Sequence, residues 1–334
     1  MLQILTVTFP FFVLVLAGYL AAWRGMLPLA SIPGLNGFVL FFALPCMLFR
    51  FGASTPVAQL LDPAVALTYL LCALLMVALV IAVTRRGRIG WNDAALGALV
   101  GAFPNTGFMG VPLLVALLGA RAAGPAIVSI LVDMVITSSL CIALSRLDPP
   151  GGAGAPGVRQ TAAQAARNAL KGVAANPMPW SILTGAVFSW QQWQLPRPVL
   201  VTVGMLADAA SPVALFTIGA VLARSRLLAQ QDRSHAVPWS EVLPVAAMKL
   251  FLHPLLVLGA GLLALRLGVA LDRFALTVLF LVAALPSASN VSMLAERFGA
   301  DNGRIARIIL VSTAAAFVTF SAAVALTHGD FAIF

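Results

Sequence analysis

Ten runs of about 20 predominantly apolar residues, the length that carries an α-helix across a bilayer, leave this chain few ways to fold. They fall at about 3–23, 34–51, 63–84, 93–118, 123–147, 177–194, 198–223, 240–266, 273–296 and 303–327. In hydrocarbon every backbone polar group must be satisfied internally, so runs of this length read as helices. Apolar residues make up 61% of the 334 and charged residues 9%, against about a quarter in a soluble domain. There is too little polar surface to cover a water-soluble globule, which excludes most soluble enzymes. The expectation is an all-α polytopic membrane protein in a lipid bilayer. The first run has no basic residue before it and exceeds the apolar core of a signal peptide, so it is expected to stay as the first span.

The net charge of +9 could suggest a nucleic-acid partner. Its distribution says otherwise. With ten spans, alternate loops share a compartment. One set carries 14 of the 20 basic residues, Arg24, Arg85, Arg146, Arg224, Arg297 and Arg304 among them; the other carries five, including Arg50 and Arg121, and Lys249 alone lies inside a run. The positive-inside rule places the richer set in the cytoplasm and both termini on the opposite face. The charge is thus topology, and no nucleic acid is expected. Cys46, Cys72 and Cys141 lie far apart and form neither a disulfide framework nor a zinc site.

The stretch 148–172 opens Asp-Pro-Pro-Gly-Gly-Ala-Gly-Ala-Pro-Gly, which cannot hold a helix, and continues as an Ala-rich polar segment expected to form a short cytoplasmic surface helix. It divides the spans five and five: a first repeat over 1–147, the linker 148–172, and a second repeat over 173–334. Residues 45–53 read P-C-M-L-F-R-F-G-A and residues 212–220 read P-V-A-L-F-T-I-G-A, with Pro, Leu, Phe, Gly and Ala at identical spacing. Val100, Ala102 and Pro104 match Val282, Ala284 and Pro286; Thr137, Ser139, Ala143 and Leu144 match Thr319, Ser321, Ala325 and Leu326. A repeat of five spans is odd, so its two copies must be inverted, the architecture of secondary transporters.

Span four contains Phe103-Pro104-Asn105-Thr106-Gly107-Phe108-Met109-Gly110-Val111-Pro112, and span nine holds Leu285-Pro286-Ser287-Ala288-Ser289-Asn290 at the matching place. Proline removes a helical hydrogen bond and glycine relaxes the backbone, so both helices should break. Paired breaks point to a shared midplane site, because freed backbone groups must line a cavity or be buried in protein. Half-helix N-termini suit a carboxylate, and Asn105, Thr106, Ser287, Ser289 and Asn290 add neutral donors and acceptors. The alternative is that these prolines and glycines merely kink membrane helices, as read for Pro45, Pro212 and Pro254.

Four ionisable residues lie inside spans: Asp133, Asp208, Lys249 and His253. Each costs roughly 2.5–3.5 kcal/mol near the bilayer centre and needs a reason. Lys249 and His253 share a helix face; Lys249 could attract an anion or pair with Asp133, and Asp133 or His253 could carry a coupling proton. A structural ion pair or snorkelling to an interface would explain the same residues. Asp208, one turn before Pro212, is a further candidate for ion or proton coupling, or could only satisfy backbone groups freed there. No HExxH, GxSxG, paired-aspartate or nucleotide-binding motif is present, so the chain does not read as an enzyme and no organic cofactor is expected. A proton or a sodium ion could serve as coupling ion.

The sequence N-T-G-F-M-G-V-P-L at 105–113, F-A-L-P-C-M-L-F at 42–49 and the linker after span five resemble the auxin efflux carrier family, which contains plant PIN-type auxin transporters and bacterial malate and malonate permeases. The short linker, and Ser287, Ser289 and Asn290 in place of a fuller Asn-Pro motif, favour the bacterial carboxylate branch. The resemblance implies a scaffold of spans one, two, six and seven and a mobile bundle of spans three to five and eight to ten. It implies that the broken helices cross at Pro104 and Pro286, with substrate beside Asn105, Gly107 and Asn290. It further implies elevator-type movement, a homodimer formed through the scaffold, and residence in a bacterial inner membrane. The expected function is secondary transport of small organic anions, malonate- or malate-like carboxylates. A sodium-coupled symporter of larger amphipathic or auxin-like anions, and a membrane sensor that binds without transporting, are the alternatives.

Overall fold

A computed structural model describes residues 2–60, 62–85, 89–147, 177–231 and 237–328. The surface helix expected within 148–172 lies outside the described residues. Among the described residues the chain is all helix, with no strand and one isolated antiparallel bridge, between Pro104 and Ser287. In chain order the helices are α1 (Leu2–Trp23), α2 (Ile32–Phe38), α3 (Leu44–Ser54), α4 (Val57–Leu60), α5 (Pro63–Thr84), α6 (Trp91–Ala102), α7 (Val111–Leu118), α8 (Ala123–Val132) and α9 (Ser138–Leu144). They continue as α10 (Pro177–Gln191), α11 (Arg197–Gln231), α12 (Trp239–Ala247), α13 (His253–Arg266), α14 (Arg273–Ala284), α15 (Val291–Phe298) and α16 (Asn302–His328). Among the described residues six helical stretches are long and apolar enough to cross a membrane: Leu29–Ser54, Val57–Thr84, Ala120–Leu144, Arg197–Leu227, Trp239–Arg266 and Asn302–Thr327.

Among the described residues, three of these stretches contain a π-turn, Val39–Ala43, Asp133–Thr137 and Met248–Leu252, and a fourth π-turn, Thr106–Gly110, opens the shorter apolar stretch Thr106–Leu118. Three of the four turns are followed two residues later by a proline, Pro45, Pro112 and Pro254. A proline ring clashes with the carbonyl four residues back, here Phe41, Phe108 or Leu250, and each of those carbonyls lies inside the widened turn. Pro45 and Pro254, read from sequence as kinks, therefore act by converting one turn to π geometry. Pro212 differs, since α11 runs through it without interruption. The turn at Asp133 has no proline after it. There the Asp133 carbonyl accepts from both the N–H and the hydroxyl of Ser138, the latter at 2.8 Å.

Helix α1 packs along α11, and α10 along α3, with α3 also against α11. Both main contacts are backbone to backbone at glycine. A Cβ on Gly18 would stand 1.8 Å from the Phe216 carbonyl oxygen, and one on Gly219 would stand 1.8 Å from that of Val15. In the second contact, a Cβ on Gly185 would stand 2.4 Å from the Phe49 carbonyl oxygen, and one on Gly52 would stand 2.7 Å from that of Ile182. Small residues let membrane helices approach this closely, which is where their packing energy comes from. Every residue of the first contact corresponds to one of the second at the offset that relates Pro45 to Pro212.

The remaining helices pack as a second group: α5 on α6, α8 and α13, α13 on α14, α14 on α8 and α16, and α12 on α16. Its core is apolar and continuous, from Cys72 and Met76 through Leu96 and Leu99 to Leu279 and Ile308. One end is held by charge. Arg304, counted in the sequence among loop residues, opens α16 with 2% of its surface exposed. Its guanidinium donates to the carbonyls of Asp93 (3.0 Å) and Glu241 (3.4 Å), so the first turns of α6, α12 and α16 meet on one side chain.

Candidate functional site

Helix α6 ends at Ala102 and α14 at Ala284, each two residues before a proline. The two segments that follow cross as a minimal antiparallel pair. Asn105 N–H donates to the Pro286 carbonyl at 2.8 Å, and Ala288 N–H donates to the Phe103 carbonyl at 2.9 Å. Pro104 thereby falls in a non-hydrogen-bonded pair with Ser287, where a missing N–H costs nothing. Pro286 contributes only its carbonyl. The Ser287 N–H turns instead to the Ser312 hydroxyl on α16, at 3.2 Å. The helices break where proline dictates, and the freed groups find partners across the crossing.

Beyond the crossing each chain re-enters helix at an asparagine. Asn105 caps the π-turn that leads into α7, and Asn290 caps α15; neither side chain makes a capping hydrogen bond. An N-cap Asn ordinarily folds its side chain onto the N–H of the second or third helical residue. Here Asn105 Oδ1, Asn290 Oδ1, Thr106 Oγ1 and Ser287 Oγ are all buried without a hydrogen-bond partner among the described residues. Buried polar atoms are overwhelmingly paired in folded proteins, so four orphans at one crossing need an explanation. Turning either amide over presents its Nδ2 donors to the same space. Gly107 is half-buried with no atom within 4 Å of where a Cβ would be, so it leaves that side of the turn open, while Ser289 uses its carbonyl to hold the Ser292 hydroxyl at 2.9 Å. Gly110 serves contact: a Cβ there would stand 2.5 Å from Leu285 Cδ1.

The structure gathers three of the four ionisable residues and leaves the fourth elsewhere. Asp133 is fully buried and accepts from the Tyr69 hydroxyl at 2.6 Å and the Thr137 hydroxyl at 3.1 Å. Lys249 and His253, also fully buried, stand 3.2 Å apart from Nζ to Nδ1, and the Tyr69 and His253 ring centroids are 6.1 Å apart. Lys249 Nζ donates to the Ala283 carbonyl at 2.6 Å, and among the described residues it forms no direct ion pair with Asp133 within 4.0 Å. His253 Nε2 is buried without a partner. Asp208 corrects the sequence expectation: its carboxylate accepts from Arg50 at 2.6 Å, on α11 and α3, and so is committed to a side chain rather than to backbone freed at Pro212. Arg50 is correspondingly a helix residue and not a loop one.

Sequence reasoning missed Tyr69 and Ser312. A tyrosine within an apolar run looks like packing, and a serine on α16 shows its role only once α14 is known to break beside it.

Residues 3–324 match the membrane transport protein family. The chain is 30% identical over 316 residues to a Rhizobium meliloti (strain 1021) protein named "Putative malonate transporter", across 94% of this chain and 92% of the relative. It is 26% identical over 311 residues to a protein of Methanothermobacter thermautotrophicus named "Uncharacterized transporter", across 92% of this chain and 93% of the relative.

Proposed function

This chain belongs to the membrane transport protein family, that of the auxin efflux carriers, and on that footing we propose secondary transport of small organic anions, malonate- or malate-like carboxylates, as its function. The observation that carries the proposal is the crossing. Two broken segments share backbone hydrogen bonds, and the caps of both following helices, Asn105 and Asn290, hold their amides in reserve. A carboxylate placed there would take donors from the two amides and the hydroxyls of Thr106 and Ser287, inside the favourable dipole field of the half-helix starts.

Two inverted five-helix repeats would give the carrier its alternating access, since inverted copies exchange roles between outward- and inward-open states. Ten spans are needed for this reading, with α6 and α7 forming span four and α14 and α15 forming span nine. The glycine contacts that recur at one sequence offset support it. Helices α1 to α3, α10 and α11 would be the scaffold and the other helices an elevator-like bundle. A homodimer through the scaffold, both termini in the periplasm and a bacterial inner membrane complete the picture. The malonate-named relative supports the substrate class, and Asp133, Lys249 and His253 are the candidates for charge coupling.

Uptake of radiolabelled malonate and malate into proteoliposomes, with proton and sodium gradients imposed separately, tests this. Saturable uptake of either acid supports the carrier. Saturable binding with no flux would make the protein a sensor, and uptake confined to aromatic or amphipathic acids would move it to the other substrate class.

A further inference from the structure

A threonine inside a helix ordinarily turns its hydroxyl back onto the carbonyl four residues earlier. Thr84, Thr184, Thr202, Thr217 and Thr277 all do so here, at 2.7–3.0 Å. Thr313 on α16 does not. Its hydroxyl is buried without a partner among the described residues, on a residue with 5% of its surface exposed. The carbonyl it would use, that of Ile309, accepts the Ser312 hydroxyl at 3.1 Å. Ser312 thus leaves its neighbour with a hydroxyl to spare.

That hydroxyl stands beside the crossing. Ser312 Oγ also accepts from the Ser287 N–H, which fixes this turn of α16 at the level where the two broken segments meet. Thr313 is one step round the helix from Ser312 and shares a face with Phe317, four residues on. Phe317 meets Phe12 of α1 edge to face, with ring centroids 5.2 Å apart. Helix α16 packs on both α1 and α11, and the π-turn 106–110 packs on α11 as well. Thr313 therefore lies on the seam between the crossing and the helices α1 and α11, as does the turn that begins at Thr106.

Asn105, Thr106, Ser287 and Asn290 all belong to the crossing segments or to the helix starts they lead into, whereas Thr313 comes from a third element. We propose that Thr313 is a further substrate-binding residue, whose hydroxyl takes the second carboxylate of a dicarboxylate while the crossing holds the first. An acid with one carboxylate leaves this hydroxyl buried and unpaired, and a site built to pair a substrate group discriminates against the analogue that lacks it. Thr313 then sets the preference for two carboxylates over one. The inference rests on the carboxylate reading of the crossing and names the part of the site that reads substrate length.

The test is binding of malonate, and of propionate as the acid of the same carbon chain with one carboxylate, to the purified protein in detergent. Thr313→Val, which keeps the shape of the side chain and removes the hydroxyl, should weaken malonate binding by about 10-fold and leave propionate binding and the melting temperature unchanged. Thr313→Ser, which keeps the hydroxyl, should bind malonate as the wild type does. Thr319→Val removes another unpartnered hydroxyl of α16, nearly two turns along, and should alter neither affinity. Unchanged malonate affinity in the Thr313→Val protein would overturn the proposal, as would an equal loss for both acids. A second measurement uses no carboxylate. With Cys46, Cys72 and Cys141 replaced by alanine, the Thr313→Cys protein should react with a small anionic thiosulfonate in membrane vesicles, and the Ile308→Cys protein, altered in the packed core, should not. An unreactive Thr313→Cys protein would overturn the proposal. If the wild type binds neither acid, the failure lies with the malonate reading, and the labelling decides whether Thr313 lines the site.

Discussion

The paired contacts of α1 with α11 and α10 with α3 differ from the crossing of 103–105 with 286–288 in what they leave over. At the glycine contacts two helix backbones meet with no side chain between them, and among the described residues no buried side-chain polar atom beside Gly18, Gly52, Gly185 or Gly219 is left without a partner. At the crossing the backbone is equally well paired, yet four side-chain oxygens are buried without partners. Both regions are close-packed, so the difference is one of chemistry. The first is finished as a structure; the second is finished only as a frame and keeps its polar side chains for something else. Burial alone would not separate them, whereas unsatisfied hydrogen-bonding capacity does.

The comparison is broken most forcefully at the glycines. Gly219→Val should cost about 3 kcal/mol or more, because the added atoms meet a helix backbone that cannot step aside; loss of monodisperse protein in detergent is the readout. Alanine at Gly18 or Gly219 should be worse tolerated than alanine at Gly52 or Gly185, where the carbonyl is farther off. At the crossing the order of effects reverses. Asn105→Ala and Asn290→Ala should leave the melting temperature nearly unchanged and weaken carboxylate binding by about 10- to 100-fold each, the value of a hydrogen bond to a charged group. Equal affinity in both variants would remove the crossing from the site.

Asp133→Asn keeps the Tyr69 and Thr137 contacts near isosteric and removes the titratable group. If Asp133 carries a coupling proton, the pH dependence of uptake should flatten; an unchanged profile would return it to a structural role. Gly110→Ala should cost about 1–2 kcal/mol, since its contact is a flexible leucine side chain and not backbone, and Leu285→Ala in the same chain should relieve part of the loss. Asp208→Asn should have the smallest effect, at most about 1 kcal/mol and no change in affinity, because its ion pair with Arg50 is exposed on both sides.

Much of this was legible in the sequence. Proline and glycine act locally, so the breaks at Pro104 and Pro286 could be placed to within a few residues, and the asparagines beside them stood out against an apolar background. What could not be read depends on partners that have no sequence signature. Lys249 is held by the carbonyl of Ala283, and any residue has a carbonyl. Gly18 and Gly185 are two of 27 glycines, and nothing near them marks a helix arriving from far along the chain. Arg304 was counted only for the side of the membrane it marks, an argument indifferent to whether the guanidinium reaches solvent. The π-turns fall between these cases. Three follow from a proline two residues on, whereas the one at Asp133 depends on how Ser138 turns its hydroxyl.

The glycine contacts carry a consequence for the half-molecule. Val15 and Gly18 meet Gly219 and Phe216, and the corresponding Ile182 and Gly185 meet Gly52 and Phe49. If a residue i of one half touches j of the other, then the counterpart of i touches the counterpart of j, which is the rule obeyed by an isologous interface between identical subunits. Each half therefore carries, on its own two helices, both faces of a single self-complementary joint. Cut at the linker, the segment that holds α1 and α3 would still present both faces of that joint, Gly18 and Val15 on one helix and Gly52 and Phe49 on the other, as one subunit of an isologous pair does.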